Sequence, residues 1–473
     1  MQSNVAETFR NGTALVTGCT GVLGKLLTEK LLRSCPVKTI AIIVRNKKEF
    51  TAEQRAENIY KETIFDCLRE KKPNFMNHIK VIDGYLEGPD LGISSTDREW
   101  IIENVNFVFH CAATVRFNEP LEKAIKINIQ GTEKLLALAT EIKNIKGFVH
   151  VSTAYSNFYL DEIKEQFYPV PITAKDLYDL LDIEDSSIKN NSILRRCSNT
   201  YYFTKAITEN LISTNDNRLP ISIFRPSIIG CTQSEPFSGW VKNLNAATGV
   251  IVSHIIGMTT FPMNNSTYRI DIIPIDYTVN ALISVMWDTV QRCQDSSQKY
   301  TEPKIFNFVS GVESPLTYAD FFNNIFNSYR EAPPLSAVWY YLCIFTTNPL
   351  TIKVLRFLLH TVPNAFMDLY LLAIGKKPKI LKMYGKLELS HDLLRSFVVR
   401  NWTFHNNNTR ELWSLLSQED RKTFWYSFEE FDFKEYIKIY VQAVRKCILD
   451  EDQSNIKEAL AKTRSTISEK KSD

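Results

Sequence analysis

The sequence lacks the signals that mark several common classes of protein. Its nine cysteines are scattered among 473 residues without a Cys-x-x-Cys pair, so they predict neither a disulfide framework nor a zinc site. No His-Glu-x-x-His spacing occurs, and no Gly-x-Ser-x-Gly supplies the nucleophile of an α/β-hydrolase. Because 56 Lys and Arg nearly balance 53 Asp and Glu, nucleic acid is not an expected partner.

Targeting signals are equally scarce. Residues 1–12 contain no apolar stretch long enough for a secretory signal, which places the expected location on the cytosolic side. The last residues, Lys471-Ser-Asp473, do not form a peroxisomal Ser-Lys-Leu signal.

Short apolar runs rich in β-branched residues recur through the first half of the chain. Each has the length of a buried parallel strand, and the stretches between several of them, such as Gly24–Arg33, have helical period. This alternation predicts an α/β fold with a doubly wound parallel Rossmann sheet. The predicted strands are Thr13–Val16, Thr39–Val44, Ile79–Ile82, Phe107–Phe109, Gly147–Val151 and Ile221–Phe224.

The alternation stops after about residue 330, where the chain becomes aromatic and helical. A chain of this length exceeds one ordinary domain, so we predict a sheet domain at 1–330 and a mainly helical C-terminal domain at 331–473. The polar insertion at 157–198 is longer than a simple crossover needs and is a candidate cover for the active site.

Two apolar stretches in the second domain allow two interpretations. Residues 332–352 carry no charge, and Phe357–Gly375 is followed by Lys376, Lys377 and Lys379. The pair is typical of an amphipathic or re-entrant unit with basic residues near lipid headgroups. Alternatively, both stretches are core helices of a soluble domain.

Three glycines mark a candidate cofactor site. Gly18, Gly21 and Gly24 follow the first predicted strand and open the first helix. In that context they let the backbone turn tightly against a pyrophosphate, which the helix N-terminus stabilises. The segment therefore predicts dinucleotide binding by Thr17, Gly18, Thr20, Gly21, Val22, Leu23 and Gly24.

The end of the second strand bears on which dinucleotide is bound. Arg45 stands where an NAD-specific site usually places an acidic residue on the ribose hydroxyl. A cation there favours the 2′-phosphate of NADP, although a solvated basic loop is the alternative. Asp83, at the end of the third strand, is a candidate acceptor for the adenine amino group.

A tyrosine and a lysine supply the candidate catalytic pair. Tyr201 and Lys205 are one helical turn apart and face the same way, whereas Tyr202 points elsewhere. An ammonium beside a phenol is expected to lower the pKa of the phenol, and Lys205 is also placed to hold a nicotinamide ribose. Ser152 and Thr153 end the fifth strand, and either hydroxyl is a candidate to hold a substrate carbonyl oxygen or to cap the next segment, with Thr153 preferred.

Several motifs together resemble the alcohol-forming fatty acyl-CoA reductases, within the extended short-chain dehydrogenase/reductase group. The most family-specific of them is His110-Cys-Ala-Ala-Thr-Val-Arg-Phe117, beside Thr17–Gly24, Val149–Tyr155 and Tyr201-x-x-x-Lys205. The C-terminal part is similar to the family's second domain, which is named for a plant male-sterility protein. The predicted cofactor set therefore also includes Ala112, Ala113, Tyr201, Lys205 and Pro226.

The resemblance implies the substrate and the reaction. A long-chain acyl-CoA would be reduced to a primary fatty alcohol through a bound aldehyde, with two NADPH consumed. It also implies a membrane-associated enzyme on the cytosolic side of the endoplasmic reticulum or peroxisome, and a homo-oligomer is compatible with it. Many animal members end in a hydrophobic tail, whereas this chain ends in a charged one.

Two other functions compete with this one. A sugar-nucleotide epimerase or a steroid dehydrogenase has the same fold, since fold alone does not fix function. A binding protein that keeps the dinucleotide turn without catalysis is the second rival, although the presence of both Tyr201 and Lys205 counts against it.

Overall fold

The computed structural model describes residues 3–47, 49–181, 199–214, 219–260, 265–295, 302–339, 341–382, 384–385, 388 and 399–468. Contacts divide the chain into two compact units that alternate along the sequence. Unit 1 comprises Met1–Phe237, Ile273–Val312 and Thr403–Phe428, and unit 2 comprises Ser238–Ile272, Glu313–Trp402 and Glu429–Asp473. The sequence instead predicts one boundary near residue 330, because a local change in pattern cannot show that later segments return to an earlier unit.

Unit 1 is built on a seven-stranded parallel sheet within the described residues. Its strands are β1 Thr13–Thr17, β2 Thr39–Val44, β3 Ile79–Asp83, β4 Phe107–His110, β5 Gly147–Val151, β6 Ile221–Pro226 and β7 Lys304–Phe308. Their order across the sheet is β7-β6-β5-β4-β1-β2-β3. The doubly wound Rossmann sheet is therefore confirmed, and its direction of winding reverses between β1 and β4.

Helices connect the strands of this sheet. The helix after β1, Val22–Ser34, has most of its residues buried. Unit 1 contains the α-helices Val22–Ser34, Ala52–Tyr60, Asp66–Lys71, Ser95–Asn104, Leu121–Ala124, Gly131–Glu141, Ala174–Leu181, Thr200–Ser213, Ile275–Asp295, Asn407–Leu415 and Gln418–Thr423. Shorter helical turns are Ala6–Phe9, Thr63–Phe65, Phe75–His78, Pro89–Gly92 and the π-helical Ile125–Gln130.

The strands are apolar on both faces because helices cover both sides of a doubly wound sheet. All five residues of β1 and of β5 are buried. One large cluster of Leu, Ile, Val and Phe side chains packs between the sheet and its helices, with Leu15, Val108 and Phe148 at its centre. This core fixes the carboxyl ends of β1, β4 and β5 relative to one another.

Unit 2 is mainly helical, as predicted for the C-terminal part of the chain. Tyr318–Glu331 packs against Phe433–Cys447, whose Tyr436 and Tyr440 are fully buried. The helices are Ala246–Ile255, Tyr318–Glu331, Pro349–Arg356, Val362–Ala373, Phe433–Cys447 and Ile456–Ser468, with a π-helical turn at Phe357–Thr361.

Within the described residues, several short strands lie outside the seven-stranded sheet. Glu162–Ile163 pairs in parallel with Thr403–Phe404 in unit 1, and Arg269–Ile270 pairs antiparallel with Leu316–Thr317 in unit 2. Two further short strands are Ile228–Ile229 and Ile272–Ile273.

The described residues of the apolar stretch at 332–352 do not form the single core helix that the second interpretation of the sequence predicts. Its described residues up to Asn348 form no helix, and only Pro349 starts one, where the Asn348 side chain accepts from the backbone N–H groups of Leu350 and Thr351. No helix in the described part of the chain is both long and apolar enough to cross a membrane.

Candidate active site

The glycine turn lies between β1 and the helix Val22–Ser34, as the sequence predicts. Gly18 has a φ of +75°, and a Cβ on it would lie 2.8 Å from the backbone nitrogen of Ala112. A Cβ on Gly24 would lie 2.4 Å from the Gly18 carbonyl oxygen. Larger residues at either position would therefore break the turn.

This turn fits the pyrophosphate of a dinucleotide. Thr20 and Gly21 are exposed, and Gly21, at the N-cap, provides no side-chain hydrogen bond to the helix that starts at Val22. The first turn of that helix contains no acidic residue. Its N–H groups are thus directed at a site that favours an anion. Val22 and Leu23 are half-buried beside it.

A buried hydrogen-bond chain connects the turn to β4. The Thr17 hydroxyl lies 2.8 Å from His110 Nδ1 and accepts from the Ala112 N–H at 3.2 Å. His110 Nε2 lies 2.9 Å from Thr132 Oγ1, whose hydroxyl donates to the Asn128 carbonyl at 2.6 Å. Burial, with a smaller contribution from Lys205, lowers the pKa of His110 to about 3, so the ring is neutral. His110 therefore holds Thr17 and Ala112 in place as a core residue.

The other predicted cofactor residues lie at the carboxyl ends of the strands. Ala112 and Ala113 follow β4, and Pro226 ends β6, where its carbonyl accepts from the Ala154 N–H at 3.0 Å. These strand ends share the sheet edge at which ligands of doubly wound folds bind.

Arg45 and Asp83 lie at the ends of β2 and β3, and both have partners. The Arg45 guanidinium forms an exposed ion pair with Glu87 at 3.1 Å. The Asp83 carboxylate accepts from the Asn46 backbone N–H at 3.1 Å and from the Asn46 side chain. Arg55 donates to the Arg45 carbonyl, a contact that sequence reasoning missed because Arg55 lies ten residues away on another element. The neighbourhood therefore holds two guanidinium groups.

Tyr201 and Lys205 lie on the helix Thr200–Ser213, which Asn199 caps by accepting from the Tyr201 N–H at 2.8 Å. One face of this helix is fixed by packing. Phe203 and Ile207 join a cluster with the π-helical turn and with Ala174–Leu181. Tyr201 is left half-buried, while Lys205 is buried.

The structure corrects the expected electrostatics of the pair. The Lys205 ammonium donates to the Val151 carbonyl at 2.6 Å. Burial and, secondarily, the Glu209 carboxylate raise the pKa of Tyr201 well above its usual value, whereas the sequence predicted that it is lowered. Burial lowers the pKa of Lys205 to about 8, although Glu209 opposes that shift. Tyr201 is thus a neutral phenol, the form that can donate a proton.

Ser152 and Thr153 differ in what their hydroxyls do. Ser152 donates to the Glu209 carboxylate, and both side chains are buried. The Thr153 hydroxyl accepts from the Tyr155 N–H at 3.3 Å, which leaves its own proton available to a ligand. This geometry supports the choice of Thr153 as the hydroxyl that meets a substrate.

Glu209 and Arg225 form a buried ion pair that sequence reasoning missed. Arg225 donates to both carboxylate oxygens, with Nε at 2.9 Å and Nη2 at 2.6 Å, and its guanidinium also donates to the carbonyls of Lys164 and Gln166. Such a bidentate arrangement is both strong and directional. The sequence does offer one signal, since Glu209 follows Lys205 by one helical turn, but nothing in it identifies Arg225 as the partner.

Aromatic rings cluster beside Tyr201. The Phe117 ring centroid lies 6.2 Å from that of Tyr201 and 5.5 Å from that of Tyr202. Tyr155 and Phe158 contact Tyr202 in turn, with centroids 6.2 Å and 5.8 Å away. Tyr201 thus lies at the border of an aromatic cluster. Of the insertion proposed as a cover, 182–198 lie outside the described residues.

Comparisons with known proteins agree with this geometry. An NAD-binding family model described as male sterility protein matches residues 16–282, and a second model of the same description matches residues 359–451. Fatty acyl-CoA reductase wat of Drosophila melanogaster is 34% identical over 458 residues, covering 96% of this chain and 87% of the relative. Fatty acyl-CoA reductase 1 of Homo sapiens is 32% identical, covering 96% and 88%.

Solved structures share the fold. The terminal R domain of the myxalamid PKS-NRPS pathway superposes with a TM-score of 0.62 at 17% identity, covering 96% of this chain and 97% of that one. A reductase domain of a nonribosomal peptide synthetase from Mycobacterium tuberculosis gives 0.60 at 16% identity, covering 93% and 92%. The full-length likeness to the curated relatives decides the assignment: the chain belongs to the fatty acyl-CoA reductase family.

Proposed function

We propose that this protein reduces long-chain or very-long-chain fatty acyl-CoA to a primary fatty alcohol, with two NADPH, through an aldehyde that stays bound. The structural observation that carries the proposal is the anchoring of Lys205. Its bond to the Val151 carbonyl joins the helix that carries Tyr201 to the end of β5, directly before Thr153. In this proposal Tyr201, as a proton donor, and the Thr153 hydroxyl lie on two elements that this bond connects. Both would serve the carbonyl oxygen of the substrate.

The cofactor is NADPH, held by the glycine turn. The N–H groups at the start of Val22–Ser34 would hold the pyrophosphate, and Ala112, Ala113 and Pro226, at the strand ends, would line the sheet edge of the cofactor site. Arg45 and Arg55 would supply charge for the 2′-phosphate, and Asp83 would accept from the adenine amino group. Bound NADPH supplies the hydride for each reduction.

In the first reduction, the protein stabilises charge on the thioester oxygen. Thr153 and Tyr201 donate hydrogen bonds to the oxyanion of the hemithioacetal, and the Phe117 ring lies beside Tyr201. Collapse of that oxyanion breaks the carbon–sulfur bond, and coenzyme A leaves as the thiolate and takes up a proton. The product of this first reduction is the aldehyde.

In the second reduction, Tyr201 acts as the acid. Its raised pKa keeps the phenol protonated, so it can transfer a proton to the alkoxide that forms from the aldehyde. Lys205, which is charged below about pH 8, stabilises the phenolate left behind and holds the nicotinamide ribose. One acyl-CoA, two NADPH and two protons thus give one alcohol, one coenzyme A and two NADP⁺.

The proposed location is a membrane on the cytosolic side, that of the endoplasmic reticulum or the peroxisome. Long acyl chains and fatty alcohols partition into lipid, so an enzyme at the bilayer surface meets its substrate and releases its product there. A homo-oligomer is compatible with this proposal.

A product assay tests the function. Purified protein is incubated with NADPH and acyl-CoAs from dodecanoyl to hexacosanoyl, and the lipids are analysed by mass spectrometry. The proposal predicts fatty alcohol from at least one chain length. If none of the acyl-CoAs yields alcohol or aldehyde while NADPH still binds, the proposal is wrong. Sugar nucleotides and hydroxysteroids in parallel reactions test the rival dehydrogenase functions.

A further inference from the structure

The segment from residue 349 to residue 374, within unit 2, presents large apolar side chains to the outside. Phe366 is 67% exposed, Leu369 60% and Leu372 55%. Monomeric proteins rarely expose many such residues together unless the patch binds something. We call this set the apolar face; its members are Leu350, Val354, Phe357, Leu358, Leu359, Phe366, Met367, Leu369, Tyr370, Leu372 and Ile374.

Of the three side chains in the same segment that the structure describes as buried, two are polar. Its buried side chains, among those the structure describes, are Ile352, His360 and Asp368. His360 Nε2 lies 3.1 Å from Thr260 Oγ1, and the His360 ring stacks on Tyr384 with centroids 5.1 Å apart. A surface helix in water has the opposite pattern, with apolar residues inward and polar residues outward. The apolar face is therefore suited to an apolar environment.

A loop of lysines is attached to this face. Gly375, with a φ of +74°, ends the helix Val362–Ala373, and the Lys376 N–H donates to the Leu371 carbonyl at 2.8 Å. The Asp368 carboxylate then accepts from the backbone N–H groups of Lys379, Ile380 and Leu381, at 2.9, 2.9 and 3.0 Å.

The charge of this loop is all of one sign. It exposes Lys376, Lys377, Lys379 and Lys382, which we call the lysine loop. Residues 369–387 contain no Asp or Glu. A fixed cluster of cations is thus held at the border of the apolar face.

We propose that the apolar face lies in the interface of a bilayer that contains anionic phospholipid, with the lysine loop at the headgroups. Apolar side chains beside a one-sign cationic cluster match the acyl chains and phosphates of one lipid surface. A second copy docked symmetrically through this face would bring two lysine loops into one interface.

This inference rests on the membrane location proposed above but not on the reaction, so it is tested without substrate. The full chain is floated on density gradients with vesicles of phosphatidylcholine, with and without phosphatidylserine, at low and high salt. We expect flotation that is stronger on the anionic vesicles and that weakens with salt.

Three variants locate the contact. The Leu358→Glu/Phe366→Glu/Leu369→Glu chain should lose flotation on both vesicle types. The Lys376→Gln/Lys377→Gln/Lys379→Gln chain should bind anionic vesicles roughly 100-fold more weakly, since each cation near a surface contributes about fivefold. The control Leu244→Glu/Leu415→Glu changes apolar residues that are 58% and 53% exposed elsewhere, and it should float like the parent.

Each contrary result has a definite meaning. The proposal is wrong if the parent chain does not float on either vesicle, or if the triple glutamate variant floats equally well. It is also wrong if light scattering shows a dimer that the glutamates dissociate while the parent fails to float, because a second copy then covers the face. NADPH binding, measured for every variant, shows that the fold is intact, and loss of reductase activity alone would leave the flotation result unaffected.

Discussion

The Lys205 ammonium donates to the Val151 carbonyl at 2.6 Å. This bond crosses from the helix that carries Tyr201 to the last residue of the strand that precedes Ser152 and Thr153. It places the cation in the interior, where burial lowers its pKa to about 8. Lys205 therefore connects the helix to the strand and also titrates near physiological pH. Its protonation can be followed through the pH dependence of the reaction rate.

Activity should depend on pH through Lys205. In the proposed mechanism its ammonium form, present below about pH 8, stabilises the Tyr201 phenolate and holds the ribose, so kcat/KM should fall as pH rises through about 8. Tyr201 does not explain such a descending limb, because its own pKa is raised further. The measurement is a pH profile of kcat/KM for acyl-CoA reduction.

The control for that profile is Lys205→Arg, which keeps a charge at all accessible pH. We expect this variant to have lower activity but no descending limb near pH 8. A limb that persists unchanged in the variant would assign the titration to another group.

Replacement of Tyr201 by phenylalanine removes the proposed acid. Turnover should fall by about 100-fold to 10,000-fold, the usual contribution of general acid catalysis. NADPH binding, followed by fluorescence titration, should change little because Lys205 remains. The matched control is Tyr202→Phe on the same helix, which should keep near-normal turnover. Equal losses in both variants would remove Tyr201 from its role.

Replacement of Ser152 and of Thr153 by alanine should affect different properties, stability in the first case and kcat in the second. Thr153→Ala removes a donor to the oxyanion and should lower kcat by about 100-fold, with a smaller loss of stability than Ser152→Ala because the Thr153 hydroxyl accepts only a 3.3 Å bond from the Tyr155 N–H. Ser152→Ala takes a partner from the buried Glu209 carboxylate and should cost about 1–3 kcal/mol of unfolding free energy, with a smaller effect on kcat. Thermal melts and initial rates measured on both variants distinguish the two outcomes. A reversed pattern would make Ser152 the substrate-binding hydroxyl.

Charge reversal at the end of β2 tests the choice of cofactor. Arg45→Glu should raise the KM for NADPH by about 10–100-fold, because a charge-assisted bond to the 2′-phosphate is lost, and should leave the KM for NADH nearly unchanged. Lys126→Glu is the control, since Lys126 forms an exposed ion pair with Glu122 elsewhere on unit 1. A parallel rise for both cofactors would place Arg45 outside the 2′-phosphate site.

Much of the sheet could be predicted from local sequence. The ends of each predicted strand lie within two residues of the ends of an observed strand. This agreement arises because a strand buried on both faces needs a continuous apolar run. β7 was missed, since Asn307 interrupts its run; its side chain is buried and donates to the His405 carbonyl at 2.7 Å, a partner 98 residues away.

Features of the site that arise from residues close together in the sequence could be predicted. Features that depend on how distant segments pack could not. The glycine turn and the Tyr201–Lys205 spacing are local patterns, and both lie on the expected elements. The direction of the Tyr201 pKa shift was wrong, because it depends on burial and on Glu209, which the pairwise picture of phenol and ammonium left out. The C-terminal segment includes the helix Ile456–Ser468, whose Lys462 donates to the Leu335 carbonyl at 2.8 Å, a contact across 127 residues that the local sequence does not show.

The most direct test of the proposed reaction is the fate of the transferred hydrogen. Purified protein is incubated with a saturated acyl-CoA and with NADPH that is deuterated at the nicotinamide position from which hydride is transferred. The deuterium content of the lipid product is measured by mass spectrometry. Two reductions at one carbon predict a fatty alcohol with two deuterons at C1 and two NADPH oxidised per alcohol. An aldehyde with a single deuteron as the final product, or no deuterated lipid at all, would contradict the account.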